Sequence, residues 1–352
     1  MKRIRYILKK NSMSIVVLIS LLVLSVISLL DFNATIDASY RGLFPIIYYY
    51  NEKIKGQELV DNNQWLPVDL LSFLSNHKKK NNEYQFAQID SKEKQGNGLS
   101  KSQLSSQDYL LSNIYSVDST TTLDSKLLDG NKLIKKDLSI TLKDKKPKIL
   151  IYHTHGSEGF ADSVIGKTQD TVIGVGDYLA SQLEEKYHIP VYHDKTVYDI
   201  IHGKLDRSRA YTQSGKGIEN ILKKFPSIEV IIDVHRDGVA EGTRLITKVN
   251  GKPTAQVMFF NGISYTNKSG TIDYLYNPYI KDNLAFTLQL QNQSMIYYPE
   301  WTRKIYVRGY RYNLHYRPRS LLVEVGAQTN TVEEAKNAMI PLAHVLSLVL
   351  LE

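Results

Sequence analysis

The sequence predicts an α/β fold, with a mostly parallel central sheet covered by helices, and three observations carry that prediction. From Pro147 onward, short apolar runs alternate with segments of helical period. The runs KILIY (148–152), EVIIDV (229–234) and SLLVEV (320–325) are continuously apolar, as suits strands covered on both faces. Clusters of His, Asp, Glu and Arg follow or end several of these runs.

The elements follow in order. Residues 1–12 form a basic tail carrying Lys2, Arg3, Arg5, Lys9 and Lys10. Residues 13–30 (MSIVVLISLLVLSVISLL) carry no charge and are long enough for a transmembrane helix. The basic tail predicts a cytoplasmic N-terminus and an outside C-terminal bulk. A cleaved signal peptide is the alternative; the length of the run and the lack of a small-x-small site favour an uncleaved anchor. Residues 31–146 read as a membrane-proximal region and linker. They hold short apolar clusters such as 44–48, then a run rich in Lys, Asn, Gln, Ser and Gly over 76–108, which buries little. No assignment is made for 109–146. The folded domain is expected over 147–352. It opens with the strand Lys148–Tyr152, then a helix over Val172–Tyr187, with Val172, Val175, Leu179 and Leu183 on one face. A short strand over Ile189–Tyr192, a helix over Ser208–Phe225 and the strand Glu229–Val234 come next. Strands over Arg244–Val249 and Ala255–Phe260, a helix over Lys281–Met295, the strand Ser320–Val325 and a closing helix over Val332–Leu350 complete the pattern.

Composition narrows the chemistry. The 352 residues contain no cysteine, which excludes disulfides, Cys-based metal sites and a Cys nucleophile. Any metal must be held by His, Asp or Glu. The five basic residues of the tail account for much of the net charge of +8, so the body is only mildly basic and nucleic acid is a poor fit. Tyrosine is abundant, at 24 against 9 Phe, and its flat face and hydroxyl suit sugar or peptide surfaces as well as a damp core.

Ligands of open α/β sheets bind beyond the carboxyl ends of the strands. His153-Thr154-His155-Gly156-Ser157-Glu158 follows the first strand, His193-Asp194 the second and His235-Arg236-Asp237-Gly238 the third, while Glu324 lies near the end of SLLVEV. His155 and Glu158, with His235, supply two imidazoles and a carboxylate, the donor set of a catalytic zinc ion (Zn2+) that keeps one open position. Such an ion lowers the pKa of its water, and a carboxylate is then needed to carry the proton, for which Glu324 is the candidate. Each residue also has a plainer reading. His153 should point away from His155, so one of the two serves the structure, and His155 is the favoured ligand. Asp170 competes with Glu158 as third ligand and also suits a helix N-cap. Asp233 is as well placed for a strand-end hydrogen bond as for catalysis. Arg236, Arg317 and His193 are candidate substrate-binding residues. The basic, tyrosine-rich stretch 297–320 is expected to border the site, because it runs straight into the Glu324 strand.

The segments ILIYHTHGSEGF, VGDYL, VYHD, VIIDVHRDG and RPRSLLVEVGAQTNT resemble the stage II sporulation protein P family, over about the last 200 residues. The resemblance implies an amidase-like domain that cleaves the N-acetylmuramoyl-L-alanine amide of peptidoglycan, with stem-peptide cross-links as a further target. It also implies zinc, action during engulfment in sporulation, and stage II sporulation proteins D and M as partners. Location in the membrane, between mother cell and forespore, follows. His155 and His235 match the family's metal histidines and Glu324 its catalytic glutamate. Glu158 matches an acidic position, and related general amidases place their Glu ligand near the next helix, where this chain has only Asp170. Two rival readings remain: a non-catalytic wall-binding scaffold, and a metal carboxypeptidase that trims stem peptides.

Overall fold

The computed structural model describes residues 94–351. The basic tail, the apolar run 13–30 and the region up to 93 lie outside the described residues, so the anchor is an expectation that the fold does not touch. Among the described residues no helix is long and apolar enough to cross a membrane.

Seven strands form the central sheet: β1 (Tyr115–Val117), β2 (Ile149–Tyr152), β3 (Val191–His193), β4 (Val230–Asp237), β5 (Val257–Gly262), β6 (Ile305–Arg308) and β7 (Arg319–Ala327). Their order is β1-β6-β5-β7-β4-β2-β3. Every neighbouring pair is parallel except β5 with β7, which is antiparallel. The expected sheet, mostly parallel and covered by helices, is therefore found. The single antiparallel join has a consequence for the site: the carboxyl ends of β2, β4 and β7 share an edge with the amino ends of β5, β6 and β1.

Four long helices cover the sheet: α1 (Val172–Tyr187), α2 (Arg207–Lys224), α3 (Ile280–Tyr297) and α4 (Val332–Leu350). Each starts where the sequence supplies a cap or turn. Thr171 caps α1 by accepting from the Ile173 N–H, and Asp206 caps α2. Thr331 and Glu334 form a capping box at α4. The main core lies on one face, where Ile149, Ile151, Ile232, Val234, Phe259 and Val323 pack with residues of α1, α3 and α4. The opposite face is covered less completely. Ile218 of α2 packs there with Leu150, Tyr152 and Ile231, and Leu314 packs with Phe260 and Leu322. Strand alternation puts Asp233, His235 and Glu324 on this second face.

Two expectations need correction. The folded body does not begin at 147. Ser100 caps a short helix, Lys101–Ser105, and Leu104, Leu110, Ile114, Leu128 and Leu138 are buried in the main core. Tyr115 pairs with Ile305 as the sheet's edge strand. The described part of the expected linker, 94–108, is likewise bound to the body: Gln95 and Gly96 donate to the Ile296 carbonyl. A few well-spaced apolar residues suffice for docking, although the average composition of the segment is polar. The second correction concerns 244–249. Only Ile246–Val249 is extended, and it pairs with Lys252–Ala255 in a separate hairpin.

Candidate metal centre and active site

The loop after β2 is tightly held. The Thr154 N–H and hydroxyl both donate to Asp233, and Ser157 donates twice to Asp199. The Glu158 N–H closes a turn onto the His155 carbonyl, and its own carbonyl accepts from Val172 at the start of α1. His155 and Glu158 thereby face His235 on β4. One donor atom from each of the three lies within 4.8 Å of the others. Glu158 Oε1 is 3.5 Å from His155 Nδ1 and Oε2 is 3.5 Å from His235 Nδ1. Those separations exceed a good N–H···O bond and suit three donors arranged around a common cation. The Arg236 N–H, at 3.1 Å from Oε2, fixes the carboxylate.

The electrostatics agree with a cation site. Burial would raise the Glu158 carboxyl, but His155 and His235 hold it well below the usual carboxylate range. Burial would lower His235, yet Asp233, whose Oδ1 lies 2.9 Å from Nε2, and Glu158 raise it well above the ordinary imidazole value. Two buried carboxylates thus flank one imidazole, an arrangement that favours positive charge between them. Two imidazoles and a carboxylate match zinc's preference for N and O donors.

Glu324 stands opposite His235 in the β7–β4 register. Its Oε2 is buried without a hydrogen-bond partner. Burial, together with Glu158, Asp237 and Asp233, pushes its carboxyl up to about 7 against the pull of His235. It is therefore poised to hold or release a proton near neutrality.

The other sequence candidates fall elsewhere. Asp170 pairs with Lys167 at 3.0 Å and neither joins the cluster nor caps α1. His153 is buried on the far side: its Nδ1–H donates to the Val234 carbonyl and its Nε2 meets His193 Nε2 at 2.8 Å. His193 is not open to substrate, because its other nitrogen is 2.9 Å from Asp177 Oδ1. Gly176 makes room for this pair, since a Cβ there would come within 2.7 Å of the His153 ring. Arg236 is a brace rather than a substrate contact, donating to the carbonyls of Gly159 and Asp237. Arg317 donates to the carbonyls of Ile228 and Tyr316, before β4 and β7 begin. It precedes β7, and the five residue steps of strand from Arg319 to Glu324 alone span roughly 17 Å at 3.3 Å per residue, so its expected place at the site is overturned. Much of the basic stretch is also spent on structure: Trp301 is fully buried, 305–308 is strand β6, and Arg319 donates to the Leu138 and Ser139 carbonyls.

Sequence reasoning missed Tyr211 and Arg207. The Tyr211 ring lies edge-on to His155, 5.6 Å between centroids. Burial and the nearby Asp233 and Glu324 keep its phenol protonated. Arg207 Nη2 lies 3.8 Å from Glu158 Oε1. Both belong to α2, whose polar sequence gave no sign that its first turns reach the site. Their only signal was position, at the start of a helix following a strand-end histidine.

Fold and site together define an α/β domain with a His–Glu–His cluster at the carboxyl ends of parallel strands and a proton-carrying glutamate beside it. The pattern of the family described as Stage II sporulation protein P (SpoIIP) matches residues 34–347, and the chain belongs to that family. It is 26% identical over 221 residues to stage II sporulation protein P of Bacillus subtilis (strain 168), covering 59% of this chain and 52% of that protein. The chain thus matches about half the length of that relative. Among solved structures, the catalytic domain of CwlV, an N-acetylmuramoyl-L-alanine amidase from Bacillus (Paenibacillus) polymyxa var. colistinus, is 12% identical. It overlaps 57% of this chain and 96% of its own with a TM-score of 0.34. The N-acetylmuramoyl-L-alanine amidase AmiC2 of Nostoc punctiforme is 14% identical, overlapping 58% and 95% with a TM-score of 0.32. Overlaps this loose describe a general resemblance only.

Proposed function

We propose that this chain hydrolyses peptidoglycan at the amide between N-acetylmuramic acid and L-alanine, with zinc as cofactor, during engulfment in sporulation. The observation that carries the reading is the convergence of His155, Glu158 and His235 beside Glu324. Family membership supports the sporulation context. His155, Glu158 and His235 would hold a zinc ion, which would supply Lewis acidity to the amide carbonyl and to water. The Arg236 N–H and Arg207 fix the orientation of Glu158. Asp233 orients His235 from behind, as carboxylates do for ligating histidines. Glu324 takes a proton from water and delivers it to the departing nitrogen; its high carboxyl pKa suits both halves of that transfer. Tyr211 stays protonated and walls the site against His155.

The surrounding biology is part of the same proposal. The apolar run 13–30, preceded by basic residues, anchors the chain with its catalytic domain outside the cytoplasm. Stage II sporulation proteins D and M are the proposed partners, on the family resemblance. Mass spectrometry of purified sacculi treated with the zinc-loaded full-length protein tests the activity. Free stem peptides, absent with chelator and with Glu324→Gln, support it. Released single amino acids point to a carboxypeptidase instead, and no product from a folded, metal-loaded protein defeats the enzymatic reading.

A further inference from the structure

The carboxyl ends of β5 and β6 lie at the edge of the sheet opposite the metal cluster, because both strands run antiparallel to β7. Met258 is in register with Glu324, and Gly262 at the end of β5 is four residues farther on, roughly 13 Å at 3.3 Å per residue. The chain beyond that end is built as a platform. Tyr265–Thr266 pairs with Gly270–Thr271 in a small hairpin, and the Tyr265 N–H donates to the Gly309 carbonyl just after β6. The Ser264 hydroxyl donates to the Leu275 carbonyl, and Arg311 donates to the Tyr276 carbonyl. Two glycines permit the close approach. A Cβ at Gly262 would collide with the Tyr310 carbonyl oxygen, and one at Gly309 with the Tyr265 carbonyl oxygen.

Four tyrosines project from this platform: Tyr265, Tyr274, Tyr276 and Tyr310, from 37% to 79% exposed. Among the described residues no other tyrosine, and no phenylalanine or tryptophan, is as exposed. The tyrosine surplus thus reaches solvent in one place. The neighbouring Ile263 and Ile272 are buried, so the surface offers rings and hydroxyls. Tyr265 and Tyr276 also line a cleft of about 500 Å3, where Thr122, Asp124, Asn277 and Lys281 supply hydrogen-bonding groups.

Tyrosine gives an apolar face for the C–H side of a pyranose ring and a hydroxyl for its O–H groups. Other occupants fit less well. A bilayer calls for Trp, Phe or Leu beside the cations, nucleic acid for a run of cations along its backbone, and a stable protein interface for an apolar core. Here the exposed rings are all tyrosine, the cleft sets Asp124 against Lys126 and Lys281, and the isoleucines are withdrawn. We infer that the tyrosine platform is a glycan-binding surface separate from the metal site, which holds a polysaccharide strand and keeps the protein on the wall between cleavage events. The choice of a wall glycan rests on the peptidoglycan reading above.

The test uses the zinc-loaded full-length protein in a detergent without a sugar headgroup, with glycan strands stripped of peptide as the probe. Dissociation constants are measured for wild type, Tyr274→Ala, Tyr276→Ala and Tyr276→Trp, before and after a chelator removes zinc, with thermal unfolding run beside each to exclude misfolding. Each alanine variant should weaken binding roughly two- to tenfold, the worth of one aromatic contact. Tyr276→Trp should bind at least as well as wild type, and binding should survive the loss of zinc. A wild type that binds no glycan, alanine variants as tight as wild type, Tyr276→Trp as weak as Tyr276→Ala, or binding that disappears with zinc would overturn the assignment. Sacculus digestion with the same preparation separates the two claims. Freed stem peptides without glycan binding reject the platform and keep the amidase reading. Tyrosine-dependent glycan binding without freed stem peptides does the reverse.

Discussion

Glu324 and His235 face each other as register partners on adjacent parallel strands, so the proton carrier and a metal-ligand candidate are locked together by backbone hydrogen bonds. Rigid strands, rather than loops, hold both, and only His155 and Glu158 depend on loop conformation. Substituting these groups should therefore separate metal binding from chemistry. Glu324→Gln should retain zinc stoichiometry by elemental analysis while losing about 10²–10⁴-fold in turnover. His235→Ala should lose the metal itself. Equal metal loss in both variants would place Glu324 among the ligands.

Zinc binding should release protons. Asp233 and Glu158 raise His235 well above the ordinary imidazole value, so the metal-free site carries a proton there at neutral pH. A ligating imidazole nitrogen must give that proton up. Affinity should accordingly weaken as pH falls, beginning above the usual histidine range. Titration calorimetry in two buffers of different ionisation enthalpy should report about one proton released per ion at pH 7. Identical heats in both buffers would contradict the charged His235.

His153 should impose an acid limb on stability. Burial, with His193 beside it, lowers its pKa from 6.5 to about 3, so it is neutral in the fold while the unfolded chain binds a proton near pH 6.5. Stability therefore falls as pH drops below 6.5 and keeps falling toward 3, by up to about 1.4 kcal/mol per pH unit from this residue. Urea denaturation of the metal-free protein between pH 7.5 and 5 should show a shallower slope in His153→Gln than in wild type, whatever the variant's absolute stability. Parallel slopes would show that His153 accepts a proton inside the fold.

A chain beginning at residue 94 should fold, and one beginning at 147 should not. The shorter chain strips β1 from β6 and removes Leu110, Ile114 and Leu128 from the core. Within the longer chain, Leu110→Ala should cost about 2–5 kcal/mol. Circular dichroism melts check both. A cooperative transition from the 147 start would mean that the preceding segment is only an accessory.

Parts of this architecture were legible in the residues and parts were not. Helix α1 follows from the spacing of Val172, Val175, Leu179 and Leu183, and α4 is found over Val332–Leu350 where the closing helix is expected. Strands β2, β4 and β7 follow from runs too apolar for any other place, and their polar ends locate His155, His235 and Glu324. Strands β1 and β6 were hidden because each is a few residues long inside a segment whose average character is polar or aromatic. Arg317 misled because sequence proximity to Glu324 was read as spatial proximity, whereas an extended strand carries the chain across the whole sheet between them. The role of His193 was invisible, since both of its partners, His153 and Asp177, come from other elements.

The edge strand β1 bears on how the molecule is made. The Lys304 side chain reaches back to the Ser112 carbonyl across 192 residues of sequence, and among the described residues β1 pairs only with β6. Contacts between such distant residues carry a large loop-closure cost and form late. A chain synthesised from its N-terminus must therefore hold residues 110–117 in waiting until β6 has emerged. Glu324, on β7, emerges later still, so the catalytic face is complete only when nearly the whole chain has been synthesised.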